Sequence, residues 1–170
     1  MEIEIPSDKI HYLVERSPIL IDTCAILDMV NSKRERHGQA REFLDFLHSE
    51  NIKIKTSVTA LIEATVQTKR TIKEQGDEAF IEGEIFKEGS LDLIYLDKEF
   101  IEEAFMPDLP YIKTGDYIFL CIANKYKWPL ITEDRELGKK AGQAGLLAFT
   151  MQEYLDMFNK PEKPPYAFVQ

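Results

Sequence analysis

The sequence predicts an α/β fold in three layers, with a central parallel sheet of about five strands and helices on both faces. Short apolar runs without polar alternation recur along the chain, as expected of strands buried on both faces. From Pro18 onward these runs alternate with stretches of helical periodicity. Four carboxylates, Asp22, Glu63, Asp116 and Asp134, lie where such a run gives way to a helix start or a loop, in PILIDTCAIL, KIKTSVTALIEAT, YIKTGDYIFLCIA and PLITEDREL. Ligands of open parallel sheets bind in the crevice beyond the carboxyl ends of the strands, so acids placed repeatedly at that edge can converge.

Each element follows from its residues. Ser7 to Arg16 has a cap at Ser7 and Ile10, Leu13 and Val14 at helical spacing, which predicts a helix before Pro18 resets the chain. Ile19, Leu20 and Ile21 form the first strand, and Asp22 is its exit. After the polar stretch NSKRERHGQ, Ala40, Phe43, Leu44 and Leu47 mark one helix stripe, and Ile52 and Ile54 begin a second strand. Ser57 caps the next helix, where Leu61, Ile62 and Thr65 help define a core side and Glu63, Gln67 and Arg70 share another face.

A helix around Ala79 to Phe86, a strand Leu93 to Leu96 and a helix around Phe100 to Phe105 come next, stopped by Pro107 and Pro110. Thr114 caps a central helix that is apolar nearly all round from Tyr117 to Ala123, with Asp116 in its first turn, where the helix dipole favours an anion. Leu130 and Ile131 make a strand that reaches Thr132 and Asp134. A helical segment containing glycines, a strand Leu146 to Phe149 and a helix Met151 to Phe158 complete the order. The expected organisation is an N-terminal helical extension over 1–17, one domain over 18–158 and a loose tail over 159–170.

Composition narrows the class. A 170-residue chain, 44% apolar and 30% charged, reads as one globular domain. No apolar run approaches the ~18 to 20 residues of a membrane helix. The opening MEIEIPSDK is acidic where a secretory signal is basic, so a cytoplasmic protein without a membrane partner is expected. Cys24 and Cys121 lie in apolar stretches without a neighbouring Cys or His at ligand spacing, and read as small buried hydrophobes. A formal charge of −9 disfavours a surface that attracts nucleic acid everywhere, while allowing a local basic groove.

Clustered carboxylates in a low-dielectric crevice require raised pKa values or a cation, and all-oxygen donors suit Mg²⁺ or Mn²⁺. Such ions generate hydroxide and stabilise phosphoryl oxygens, so no side-chain nucleophile is needed. His11, His37 and His48 are scattered, and no Ser, His or Cys triad stands out. Acids also gather at helix starts for capping and dipole reasons, so residue types alone leave both readings open.

In order and content the motifs resemble those of PIN-domain nucleases, including the toxin halves of bacterial Vap-type toxin–antitoxin pairs. The resemblance runs from Pro18 to Phe158: an Asp closing the first strand (ILIDTCAIL), a Glu early in a helix (SVTALIEAT), an Asp opening a small-residue helix (TGDYIFLCIA) and a Thr-x-Asp after the next strand (ITEDREL). It implies a metal-dependent endoribonuclease acting on RNA, with Asp22 and Asp116 as principal ligands of Mg²⁺ or Mn²⁺. Glu63 and Asp134 would complete the ring, and Thr132 would orient water or metal. An antitoxin partner and a homodimer are further implications. The helix before Pro18 is extra to a minimal toxin, and Tyr117 stands where many members carry a small residue.

Around these acids, Asp28 either extends the pocket or is a solvated helix acid, Glu133 reads as surface, and Asp92 and Asp97 read as turn residues. Lys33, Arg34 and Arg36, Lys69, Arg70 and Lys73, and Arg135, Lys139 and Lys140 are either phosphate holders or ordinary helix-face charges; Arg70, sharing a face with Glu63, is the candidate substrate-binding residue. Trp128 reads as a packing residue. The alternative function is a non-catalytic PIN-fold module that binds RNA or protein. A response-regulator receiver would want paired acids at the first strand and a Lys after the last, and an aspartyl phosphatase of DxD type would want an acid at Cys24.

Overall fold

The computed structural model describes residues 17–76, 91–104 and 107–159. The helix expected over Ser7 to Arg16, the one around Ala79 to Phe86, Phe105 and the tail from Lys160 onward lie outside the described residues. The elements run β1 (Ile19–Ile21), α1 (Thr23–Val30), α2 (His37–Ser49), β2 (Ile54–Ser57), α3 (Val58–Gln75), β3 (Leu91–Ile94), α4 (Lys98–Ala104), α5 (Thr114–Tyr126), β4 (Leu130–Ile131), α6 (Arg135–Gln143), β5 (Ala148–Phe149) and α7 (Met151–Asn159).

All five strands are parallel, in the spatial order β3-β2-β1-β4-β5. The chain steps outward from β1 to β3, then crosses back to β4 on the other side of β1. The order therefore reverses between β1 and β4, which is where a doubly wound sheet opens its crevice. Register brings the strand ends level: Ile21 pairs with Ile131, Ile131 with Phe149, and Ser57 with Ile94. Asp22 and Thr132 consequently leave adjacent strands side by side.

The apolar runs are buried as their lack of alternation requires. Ile19, Leu20, Ile21, Leu130 and Ile131 are fully inaccessible. Helix α2 buries Ala40, Phe43, Leu44 and Leu47, and α5 buries Phe119 to Ala123, so both predicted stripes face the core. Helix α3 differs from expectation. Its buried residues are Ala60 and Ala64, while Ile62 and Val66 are about 60% exposed. The helix lies against α1, and small side chains permit that approach. Thr114 is the first helical residue of α5 and not its cap; the cap position is Lys113, which supplies no side-chain bond.

Trp128 packs as expected, stacked on Tyr126 at 4.4 Å between ring centres, with the Lys55 ammonium 5.7 Å from its ring. A cavity of about 330 Å³ lined by Ala123, Trp128, Pro129, Leu146 and Leu147 lies by the entrances to β4 and β5, at the sheet edge opposite the acids. No described helix is long and apolar enough to cross a membrane.

Candidate active site

Asp22 follows β1 directly and caps α1: its Oδ1 accepts the Ala25 N–H at 2.7 Å. Its Oδ2 accepts the Thr132 hydroxyl at 2.5 Å, a bond across the switch point between residues 110 apart in sequence. Thr132 is 1% exposed, and its Oγ1 also accepts the Asp134 N–H at 3.0 Å. One threonine thus fixes the orientation of Asp22 and the turn that carries Asp134. Asp134 in turn caps α6, its Oδ1 accepting the N–H groups of Glu136 (2.8 Å) and Leu137 (3.2 Å).

The other two acids are not caps. Asp116 stands half-buried in the first turn of α5, a helix without a side-chain cap, so capping does not account for it. Glu63 lies in the second turn of α3, where its Oε2 accepts the Thr23 hydroxyl at 2.9 Å and its Oε1 accepts the Gln67 amide at 3.2 Å. Thr23 follows Asp22 directly, so this bond fastens Glu63 to the first motif. That role is not foreseen from the sequence; its hint there is a hydroxyl residue immediately after a strand-end Asp.

Asp22 and Asp116 sense the acids around them. Burial pushes the Asp22 carboxyl up to about 7; the Thr132 and Ala25 bonds oppose this, and the charges of Asp134 and Asp116 add to it. Asp116 is also raised, by burial first and then by Asp134, with Lys113 pulling it down and Glu63 pushing it up. Cys24 is partly exposed beside them, against the expectation of a buried hydrophobe, and its thiol is pushed up to about 12 by burial and the Asp22 charge. It is a poor nucleophile in that state.

The donors are hard oxygens, and an ionised Asp22 is strained by burial and by like charges that a cation would relieve. In that chemical sense the residues fit Mg²⁺ or Mn²⁺. Among the described residues, however, no three His, Cys, Asp or Glu side chains stand close enough together to form a metal-ligand set. Arg70 is not brought to the acids: it is exposed on α3 and paired with Glu74 at 2.8 Å.

Two neighbours sit otherwise than expected. Asp28 is 1% exposed on α1 and paired with Arg34, not solvated. The Glu133 side chain is 10% exposed, with Oε1 accepting the Met151 N–H at 3.0 Å and Oε2 lying 3.3 Å from Arg36 Nε. It is not a surface acid, because its carboxylate is taken up by the first residue of α7 and by Arg36.

Fold and crevice together define a doubly wound α/β protein with an acidic switch point. Within that class the chain belongs to the PIN domain family, the nuclease family its motifs resemble: the family model matches residues 19–143. Among solved structures it is similar to the VapC20 toxin of Mycobacterium tuberculosis, described as cleaving the sarcin-ricin loop. The TM-score is 0.52 at 16% identity, over 76% of this chain and 96% of that one. That likeness establishes the fold. No curated protein matches the chain.

Proposed function

We propose that the protein is a metal-dependent endoribonuclease that hydrolyses RNA phosphodiester bonds, and that it is the toxin of a toxin–antitoxin pair. The observation that carries the reading is the setting of Asp22. This buried carboxylate is held by Ala25 and Thr132 at the switch point, and its ionisation is opposed first by burial and then by the charges of Asp134 and Asp116. Capping α1 accounts for the Ala25 bond; the buried bond to Thr132 and the like charges of Asp134 and Asp116 go beyond it and support a site.

Asp22 and Asp116 would be the principal ligands of Mg²⁺ or Mn²⁺, with Glu63 and Asp134 completing the acidic ring. When bound, such an ion lowers the pKa of water and offsets charge developing on the phosphate. Thr132 orients Asp22 through its donated bond, and Thr23 does the same for Glu63. Arg70 is retained as an outlying contact for the RNA strand. The resemblance to Vap-type toxins supports an antitoxin partner, a homodimer and a cytoplasmic setting.

The test is cleavage of single-stranded and structured RNA in Mg²⁺ or Mn²⁺. Asp22→Asn and Asp116→Asn are expected to abolish cleavage with unchanged circular dichroism, and equal activity in wild type and both variants would sink the assignment. The second reading, a PIN fold that binds RNA or protein without catalysis, draws on the lack of a converged ligand set among the described residues. A calorimetric titration in which the protein takes up no divalent ion would favour it.

A further inference from the structure

The polar stretch between α1 and α2 is held down by two acids. Arg34 pairs through Nε with the buried Asp28 of α1, and the Asp28 carbonyl oxygen lies 2.9 Å from His37 Nδ1. Arg36 pairs with Glu133, which stands between Thr132 and Asp134, so Arg36 is fastened to the segment that carries two candidate site residues. Arg34 is anchored to Asp28 on the helix that Asp22 caps, so both arginines are tied to elements that carry candidate site residues. Hydrogen bonds close the turns around the two arginines: Asn31 Oδ1 accepts the Lys33 N–H at 2.9 Å, and the Arg34 carbonyl accepts the His37 N–H at 3.0 Å.

Burying a carboxylate to hold a loop costs desolvation, and apolar packing would hold the loop as well. Asp28 Oδ2 even lacks a hydrogen-bond partner among the described residues. What the acids add is direction. Each is paired with its guanidinium at Nε, and the Arg34 and Arg36 side chains keep 33% and 47% of their surface in solvent. A planar guanidinium fixed in this way can meet phosphate oxygens with little further loss of entropy. In a chain of formal charge −9, cations fixed to the elements that carry the acids are what a polyanion needs in order to approach them.

We infer that Arg34 and Arg36 contact the phosphates of an RNA strand at the acidic crevice, and that Asp28 and Glu133 are positioning residues that hold them there. The inference rests on the ribonuclease reading and specifies how that site grips its substrate. Its signature is one of sign. Removing a carboxylate beside a polyanion site tightens binding if net charge alone matters; here it weakens binding, because an arginine is released.

The experiment measures the affinity of Asp116→Asn protein for a fluorescein-labelled single-stranded oligoribonucleotide in Mg²⁺, by anisotropy across a salt series. Arg34→Gln and Arg36→Gln should each weaken binding about tenfold and lower the salt slope by about one. Asp28→Asn and Glu133→Gln should weaken it about threefold, and Arg34→Lys should recover only part of the loss. Lys53→Gln, an exposed change just before β2 at the opposite sheet edge, should stay within about twofold. The amide of Glu133→Gln keeps an acceptor for the Met151 N–H, so this variant tests the idea even if Asp28→Asn fails to fold. Unchanged or tighter binding by Glu133→Gln overturns the positioning role. Unchanged affinity in both Arg→Gln variants overturns the phosphate contacts, with wild-type RNA cleavage left intact. A wild type that neither binds nor cleaves RNA overturns the ribonuclease reading beneath.

Discussion

At Asp22, two explanations for an acid after a strand meet in one side chain, with Oδ1 capping α1 and Oδ2 turned to Thr132. Its carboxyl is raised to about 7 from an ordinary 3.8. The unfolded chain therefore releases this proton at lower pH than the folded one, and the folded state holds more protons between those values. Stability contributed by the protonated group falls as pH rises from about 4 to about 7 and levels off above that. In EDTA, the melting temperature is expected to fall across this window in wild type and to fall less in Asp22→Asn. Adding Mg²⁺ at about pH 8 should then raise it in wild type by about 3 °C or more and barely in the variant. An equal Mg²⁺ response in the two proteins would remove Asp22 from the ligand set. The positions of Asp22 and Asp134 were legible because strand exits carry a periodicity signal, whereas the burial of Glu133 was not: neighbours on a non-periodic turn have no pattern that says which one is covered.

At the scale of elements, Thr132 is the tie between the two halves of the sheet. It joins the ends of β1 and β4, and β4 itself is only two residues long. Thr132→Val keeps the volume but leaves Asp22 Oδ2 and the Asp134 N–H without this partner. A loss of about 1 to 3 kcal/mol in urea unfolding is expected, with RNA cleavage reduced at least about tenfold and largely restored by Thr132→Ser. Strand and helix order was readable from apolar runs. The core face of α3 was not, because its contact surface consists of Ala60 and Ala64, whose small side chains carry little periodic signal beside Ile62 and Val66. The cap of α5 was misplaced for a related reason: a Thr at a helix start signals a cap by type alone, and here it is already helical.

Across the whole molecule, one core serves both halves of the sheet, and α7 closes it with Tyr154 among Phe43, Phe46, Phe149 and Phe158. The Tyr154 hydroxyl is buried without a hydrogen-bond partner among the described residues, and burial pushes its pKa upward. Tyr154→Phe is therefore expected to stabilise the protein, by about 1 kcal/mol in thermal or urea unfolding, with RNA cleavage unchanged; destabilisation would reveal a partner for that hydroxyl. The bond between Thr132 and Asp22 spans 110 residues of chain, so the crevice cannot exist until the second half of the sheet has been made. A nascent chain on the ribosome that has released Asp22, Glu63 and Asp116 still has neither Thr132 nor Asp134. On the proposed reading, synthesis itself delays the onset of RNA cleavage until the chain has been made past Asp134.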